Sequence, residues 1–304
     1  MNPANLPSKV KLVEVGPRDG LQNEKNLVPL EVKVDLVNRL SKAGFQNIEA
    51  AAFVSPKWTP QMADSEEVMA QISRSSGTIY SALVPNMKGY ERALESKVGE
   101  VVIFSAASEA FAMKNINCSI EESIERFKPI AQAAKRDKLR LRGSVSCAFG
   151  CPYQERVTAG DAAKVVRYML DLGCDEIDIC DTIGVATAEQ VKETFETIFK
   201  FASPSMFSGH FHDTYGQSIA NIYASLQTGV SIFHSSIAGL GGCPYAVGAT
   251  GNVATEDVLY LLDGLGIETG LNLSELVPIG EFISSAIGKS NGSRVGKAIT
   301  SKNK

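Results

Sequence analysis

Only three histidines occur in the 304-residue chain, and two of them, His210 and His212, stand one residue apart in GHFHDTYG (209–216), with Asp213 directly after. On an extended strand, residues i and i+2 point to the same side. The two imidazoles therefore face one way together, while Phe211 turns to the opposite, apolar layer. Paired imidazoles at a strand end suit a divalent metal. Asp19 and Asn252 are the candidates to complete the sphere, with a carboxylate and an amide oxygen. Mixed nitrogen and oxygen donors with water suit Mg2+ or Mn2+, and zinc also accepts histidine. Asp213 points away from the pair and is expected to brace the wall by hydrogen bonding.

Two further residues invite chemistry. Arg18 precedes Asp19, and a fixed guanidinium beside a metal stabilises an enolate or carbonyl oxygen while a carbon–carbon bond breaks. Cys243 lies in the glycine-rich segment AGLGGCPYAVGATGN (238–252), beside Pro244. A thiol on such a loop can give or take a proton as the loop closes. Cys147, Cys174 and Cys180, by contrast, sit in runs that read as buried structure.

Positioning these groups requires a scaffold, and one pattern repeats along the chain. Eight short apolar runs, VKLVEVG (10–16), NIEAAAF (47–53), TIYSALV (78–84), EVVIFSA (100–106), LRGSVSC (141–147), EIDICDT (176–182), FSGHFHD (207–213) and SIFHSSI (231–237), alternate with segments of helical period. Examples of the latter are 29–44, 119–136 and 158–173. Ser119 with Glu122 reads as a capping box, and Gly44 and Gly173 as helix ends. Alternation of this kind makes a parallel sheet with crossover helices. Eight units over about 250 residues favour closure into an α/β fold of the (β/α)8 TIM-barrel type. The first strand lacks the glycine fingerprint of a dinucleotide-binding open sheet. The expectation is one catalytic domain over 1–304, with a barrel core at about 9–270 and a helical extension at about 271–304. The extension carries one more helix at 273–288, beyond which the polar tail is expected to fray.

In such barrels the site lies where the strands end at their C-terminal side. Glu14, Arg18, Asp19 and Gln22 follow strand one. Glu49 belongs to strand two, Asp181 and Thr182 end strand six, and the histidines end strand seven. Ionisable groups are thus expected to gather at one end of an apolar barrel, where burial is costly unless they are paired or bound to metal.

Composition excludes other classes. The chain is 44% hydrophobic and 21% charged with net charge −4, against a basic nucleic-acid surface. No apolar stretch is long enough to span a membrane, and the first residues lack the apolar core of a secretion signal. The six cysteines are expected to be free thiols in a reducing cytoplasm.

EVGPRDGLQNE (14–24), FVSPKW (53–58), KNINCSIEES (114–123), GCPY (150–153), DTIG (181–184), HFHDTYG and AGLGGCPYAVGATGNVATED (238–257) resemble hydroxymethylglutaryl-CoA lyases over about residues 9–270. GLGGCPY distinguishes the lyases from the wider group of metal-dependent barrels of Claisen-type chemistry, such as isopropylmalate and homocitrate synthases. The resemblance implies cleavage of 3-hydroxy-3-methylglutaryl-CoA into acetyl-CoA and acetoacetate, as in leucine degradation. It also implies Mg2+ or Mn2+ held by Asp19, His210, His212 and Asn252. Arg18 is similar to the residue that stabilises the product enolate. Glu49 and Asp181 are similar to active-site acids, and Cys243 to the catalytic cysteine of the mobile loop. A base from the Asp19, His210, Asp181 group takes the hydroxyl proton. Arg18, Gln22, Lys25 and Asn26 are expected to meet the substrate, the latter two at the CoA phosphates. The implied partner is an acyl-CoA, with no nucleic acid and no membrane; a homodimer is left open.

The chain also departs from the lyase pattern. Alanines fill 50–52 where hydroxyl residues are usual, Ser144 replaces a tyrosine, Asp178 a serine, Cys180 a glycine and His234 an aspartate. Ser144 and Asp178 are therefore expected to reshape the substrate pocket. The alternative functions are a paralogous lyase for a different 3-hydroxy-3-alkylglutaryl-CoA, a condensing synthase, or a non-catalytic binder that has kept the barrel.

Overall fold

The computed structural model describes residues 6–154, 156–242 and 251–302. Its eight strands are β1 (Lys11–Glu14), β2 (Asn47–Ala52), β3 (Ile79–Leu83), β4 (Glu100–Ala106), β5 (Arg140–Ser146), β6 (Glu176–Asp181), β7 (Phe207–Phe211) and β8 (Ile232–Ser235). Each pairs in parallel with the next, and β8 returns to β1, so the sheet is a closed barrel in sequence order. All eight apolar runs became strands, because buried parallel strands are apolar and β-branched on the face toward their covering helices.

The helices follow their expected frames. Leu30–Lys42 and Ala159–Asp171 lie within the segments of helical period, and Ile120–Asp137 runs one residue past its own. Ser119 and Glu122 close the expected capping box, and Gly44 and Gly173 take positive φ just past their helices. The extension forms the helix Leu273–Ala286, which packs against Leu30–Lys42. As far as Lys302 the polar tail is ordered rather than frayed. It forms a further helix, Arg294–Lys302, held by Asp257, whose carboxylate accepts from the Ser293 hydroxyl (2.6 Å) and the Val295 amide (2.8 Å). Capping by a residue nearly forty positions away leaves no local signal in the tail itself.

The barrel interior also differs from the apolar filling expected. Lys11 on β1 pairs with Glu176 on β6 at 2.7 Å, Arg140 with Glu100 at 3.2 Å, and Arg142 on β5 with Glu49 on β2. Lys11 with Glu176 and Arg142 with Glu49 join strands that are not neighbours, so they cross the lumen. The apolar core lies instead between the strands and their helices, where Ile48, Ile177, Phe207 and Phe233 are fully buried. Buried ions survive there because each is paired. Period-two charges in RLRGS (140–144) and EID (176–178) were the signal for this lumen.

Candidate metal centre at the mouth of the barrel

Backbone geometry delivers the first two site residues. After β1 the chain makes a five-residue π-helical turn, Gly16–Gly20, in which the Val15 carbonyl accepts the amides of Arg18 (3.2 Å), Asp19 (2.8 Å) and Gly20 (3.2 Å). Such π turns recur at functional sites because they re-aim side chains. Here Asp19 is aimed toward the histidines on β7 and Arg18 toward Glu49 on β2.

Asp19 Oδ2 lies 3.8 Å from His210 Nε2 and 3.9 Å from His212 Nε2, and accepts the Asn252 amide at 2.8 Å. Asn252 reaches this point through a short antiparallel bridge with His212. The stem of the preceding loop closes tightly: a Cβ on Gly251 would fall 2.5 Å from the Gly241 carbonyl carbon, so both positions require glycine. One atom of each of Asp19, His210 and His212 falls within 4.8 Å of the others.

The donor set fits a divalent cation. The Asn252 Oδ1 oxygen is buried with no hydrogen-bond partner, a costly state unless a ligand engages it. Burial drives His210 down to about 4 and lowers His212 as well. Both rings are thus neutral at physiological pH, with lone pairs to offer. Burial would raise the Asp19 carboxyl, but the adjacent Arg18 guanidinium, with the Asn252 amide donating to it, outweighs it and holds the group ionised. The four predicted ligands are brought together.

Beside them the Arg18 guanidinium spans two carboxylates. It donates to Asp19 Oδ1 at 2.8 Å and to Glu49. Glu49 also receives Arg142, so its two oxygens are committed to two guanidiniums. Its contact with the centre is through Arg18, which makes it an anchor for that residue. Arg142 is fully buried and went unnoticed in the sequence.

Asp181 is not brought to the cluster. Its two oxygens accept the amides of Val185 (2.9 Å) and Ala186 (3.0 Å), ordering the loop after β6, while burial raises it to about 6. Asp213 braces the wall as expected, accepting the amide (3.1 Å) and hydroxyl (2.5 Å) of Ser218 at the start of Ser218–Thr228. Gln22 is half-buried, and Lys25 and Asn26 are exposed on the loop after β1. Gln61 pins that loop to the one after β2, accepting from the Val28 amide and donating to the Asn26 carbonyl, both at 2.9 Å. Ser144 and Asp178 face each other behind the centre. Cys243 lies outside the described residues.

Two more carboxylates support the mouth. Glu14 accepts the Gly16 (2.8 Å) and Ile237 (2.9 Å) amides and the Thr255 hydroxyl (2.7 Å). Glu256 accepts the amide of Ala238, a residue held at φ 56°. Burial raises Glu14 to about 7 and Glu256 to about 8.

A closed parallel barrel with two histidines, a carboxylate and an amide converging at its C-terminal mouth defines a (β/α)8 barrel with a candidate divalent-cation site. The match to the HMGL-like family model runs over residues 9–283, and the chain belongs to that family. It is 55% identical over 98% of its length to a Pseudomonas aeruginosa protein named 3-hydroxy-3-isohexenylglutaryl-CoA/hydroxymethylglutaryl-CoA lyase, covering 99% of that protein. It is 51% identical to the human mitochondrial hydroxymethylglutaryl-CoA lyase, over 96% of this chain and 90% of that one. Among solved structures, a hydroxymethylglutaryl-CoA lyase from Acinetobacter baumannii in complex with coenzyme A and 3-methylmalate superposes with a TM-score of 0.92 at 35% identity, covering 98% and 97% of the two chains.

Proposed function

We propose that this chain is a divalent-cation-dependent carbon–carbon lyase that cleaves 3-hydroxy-3-methylglutaryl-CoA into acetyl-CoA and acetoacetate. The observation that carries this is the buried Asp19–His210–His212 cluster with a carboxylate-anchored arginine beside it. Asp19, His210, His212 and Asn252 would hold Mg2+ or Mn2+. Such an ion supplies Lewis-acid polarisation of the tertiary hydroxyl and a template for the substrate.

The chain's own residues account for the rest. Asp19 or His210 takes its proton. The bond between the carbinol carbon and the carbon next to the thioester breaks. Its electron pair passes to the thioester as an enolate, and the former hydroxyl oxygen becomes the ketone of acetoacetate. Arg18, fixed by Glu49 and Asp19, offsets the enolate charge. Protonation of the enolate carbon by Cys243 completes acetyl-CoA. Lys25 and Asn26, exposed on a loop pinned by Gln61, would meet the CoA phosphates. Among the described residues Cys118, Cys151, Cys174 and Cys180 are free thiols, which supports a reducing, cytoplasmic setting.

A broader acyl specificity is a second reading. It is favoured by the two substrates in the name of the Pseudomonas relative and by the small residues Ala50–Ala52 and Ser144 on β2 and β5. Acetyl-CoA release from 3-hydroxy-3-methylglutaryl-CoA with Mg2+ tests the primary function, and no release with either Mg2+ or Mn2+ overturns it. A kcat/KM at least equal for a longer 3-alkyl substrate establishes the second reading.

A further inference from the structure

Trp58, the chain's only tryptophan, is 89% exposed on the loop after β2, and Leu27 is 70% exposed on the loop after β1. An indole left in water forgoes one of the largest apolar burials a side chain offers. Its loop is nevertheless built firmly. The Ser55 carbonyl accepts the amides of Trp58 (2.9 Å) and Thr59 (3.1 Å), and the short helix Pro60–Met62 follows at once. Gln61 within that helix is buried and fastens the loop to its neighbour, accepting the Val28 amide and donating to the Asn26 carbonyl. Buried Lys33 donates to the Gln61 carbonyl and pairs with Asp64 at 2.7 Å. Lys25, Asn26 and Leu27 on one loop and Lys57 and Trp58 on the other are thus exposed from a single fixed ledge.

The site says what crosses that ledge. The histidines belong to β7 and Asn252 follows β8, whereas Arg18, the charge offered to the thioester enolate, is held by Glu49 on β2. A thioester at Arg18 therefore lies on the β1–β2 side of the mouth. Beneath it Glu49 and Arg142, 2% and 0% exposed, shut the lumen. The rest of the CoA must leave over the rim, across the loops that follow β1 and β2. It carries out a pantetheine arm that ends in phosphates and an adenine.

An adenine needs an aromatic face, and phosphates need cations. The ledge offers an indole together with Lys25 and Lys57, in a chain whose net charge is −4. Tyr215, 68% exposed, follows β7 and so stands on the histidine side of the mouth. We propose that Trp58 is the platform on which the adenine of the acyl-CoA stacks, and that Gln61 keeps this platform in register with the loop that begins at Arg18. The proposal rests on the acyl-CoA reading of the site and adds the residue that recognises the nucleotide end. Stacking so far from the bond that breaks is the same in ground and transition states, so its contribution is to binding rather than to turnover.

A single tryptophan makes the test optical. Trp58 fluorescence is titrated with CoA, with adenosine 3′,5′-bisphosphate as its nucleotide half, and with pantetheine, while calorimetry measures CoA binding independently. The expected result is quenching by CoA and by the bisphosphate, and none by pantetheine. Trp58→Ala should bind CoA about 5–10-fold more weakly, the low end for base–aromatic stacking, and Trp58→Phe should lose less. Trp58→Ala should also raise KM for the acyl-CoA substrate at unchanged kcat. CoA that binds without quenching, pantetheine that quenches as CoA does, native CoA affinity in Trp58→Ala, or a fall in kcat without a rise in KM overturns the platform alone. So does emission that moves to the blue as protein concentration rises without ligand, because Trp58 is then buried between two copies of the chain. No CoA binding to the native chain by calorimetry overturns the acyl-CoA reading and the platform with it.

Discussion

Replacing Glu49 with glutamine should destabilise the protein far more than a change of one atom suggests. Glu49 is 2% exposed and is the shared counter-charge of Arg18 and Arg142, which are 8% and 0% exposed. Glutamine keeps the shape but removes the negative charge, and its amide end can only meet a guanidinium donor to donor. Removing one partner of a buried ion pair costs about 3–5 kcal/mol. The loss stays near that range for two arginines because each keeps another carboxylate: Asp19 lies 2.8 Å from Arg18, and Glu100 lies 3.6 Å from Arg142. A urea slope near 3 kcal/mol per molar converts this to a midpoint shift of roughly 1–1.7 M. The assay is urea unfolding followed by circular dichroism, in native protein, Glu49→Gln, Arg142→Met and the double variant. Arg142→Met should rescue part of the Glu49→Gln loss, giving a coupling of at least about 1 kcal/mol. A midpoint within 0.3 M of native (roughly 1 kcal/mol), or strict additivity in the cycle, would refute the view that this carboxylate anchors both guanidiniums.

Other consequences are equally direct. His212→Ala should abolish cation-stimulated turnover and weaken Mn2+ binding by at least about 10-fold, whereas full activity in this variant and after chelation would exclude a metal centre. Gly251→Ala should lower kcat/KM by about 100-fold while circular dichroism stays native, since the new Cβ forces the Gly241 backbone and Asn252 to shift. Stability should rise as pH falls from 8.5 to 6, because burial raises Glu14 to about 7 and Glu256 to about 8 from an ordinary 4.5. Each retains a proton in the fold that the unfolded chain releases, so their contribution is full below pH 4.5 and is lost as pH passes through 7 to 8. Glu256→Gln, which mimics the protonated side chain, should therefore raise the pH 8 Tm by at least about 2–4 °C and flatten the pH dependence. An unchanged profile by differential scanning calorimetry would show that Glu256 is ionised in the fold.

The barrel was legible because its determinants are local. A parallel strand covered by a helix must be apolar over a short run, and a crossover helix must repeat its apolar residues every three or four positions. Both patterns can be counted along the chain. The metal pair was legible for the same reason: His210 and His212 lie one residue apart on one strand, where period two fixes their common direction. Asp19 and Asn252 followed once strand order was assumed, since the mouth of a barrel gathers what its strands end in.

Long-range pairing decided what local pattern could not. Asp181 and Glu49 looked alike as acids near strand ends, yet Asp181 is taken up by its own loop's amides and Glu49 by two arginines, one of them 93 positions away. The departures at Ser144, Asp178, Cys180 and His234 read singly as changes to a pocket wall. Folded, they touch, and His234 stands between Glu176 and His210. A residue's type states which hydrogen bonds and charges it can offer. Which partner receives them depends on ångström distances across the lumen, and those are set only when eight strands close on one another.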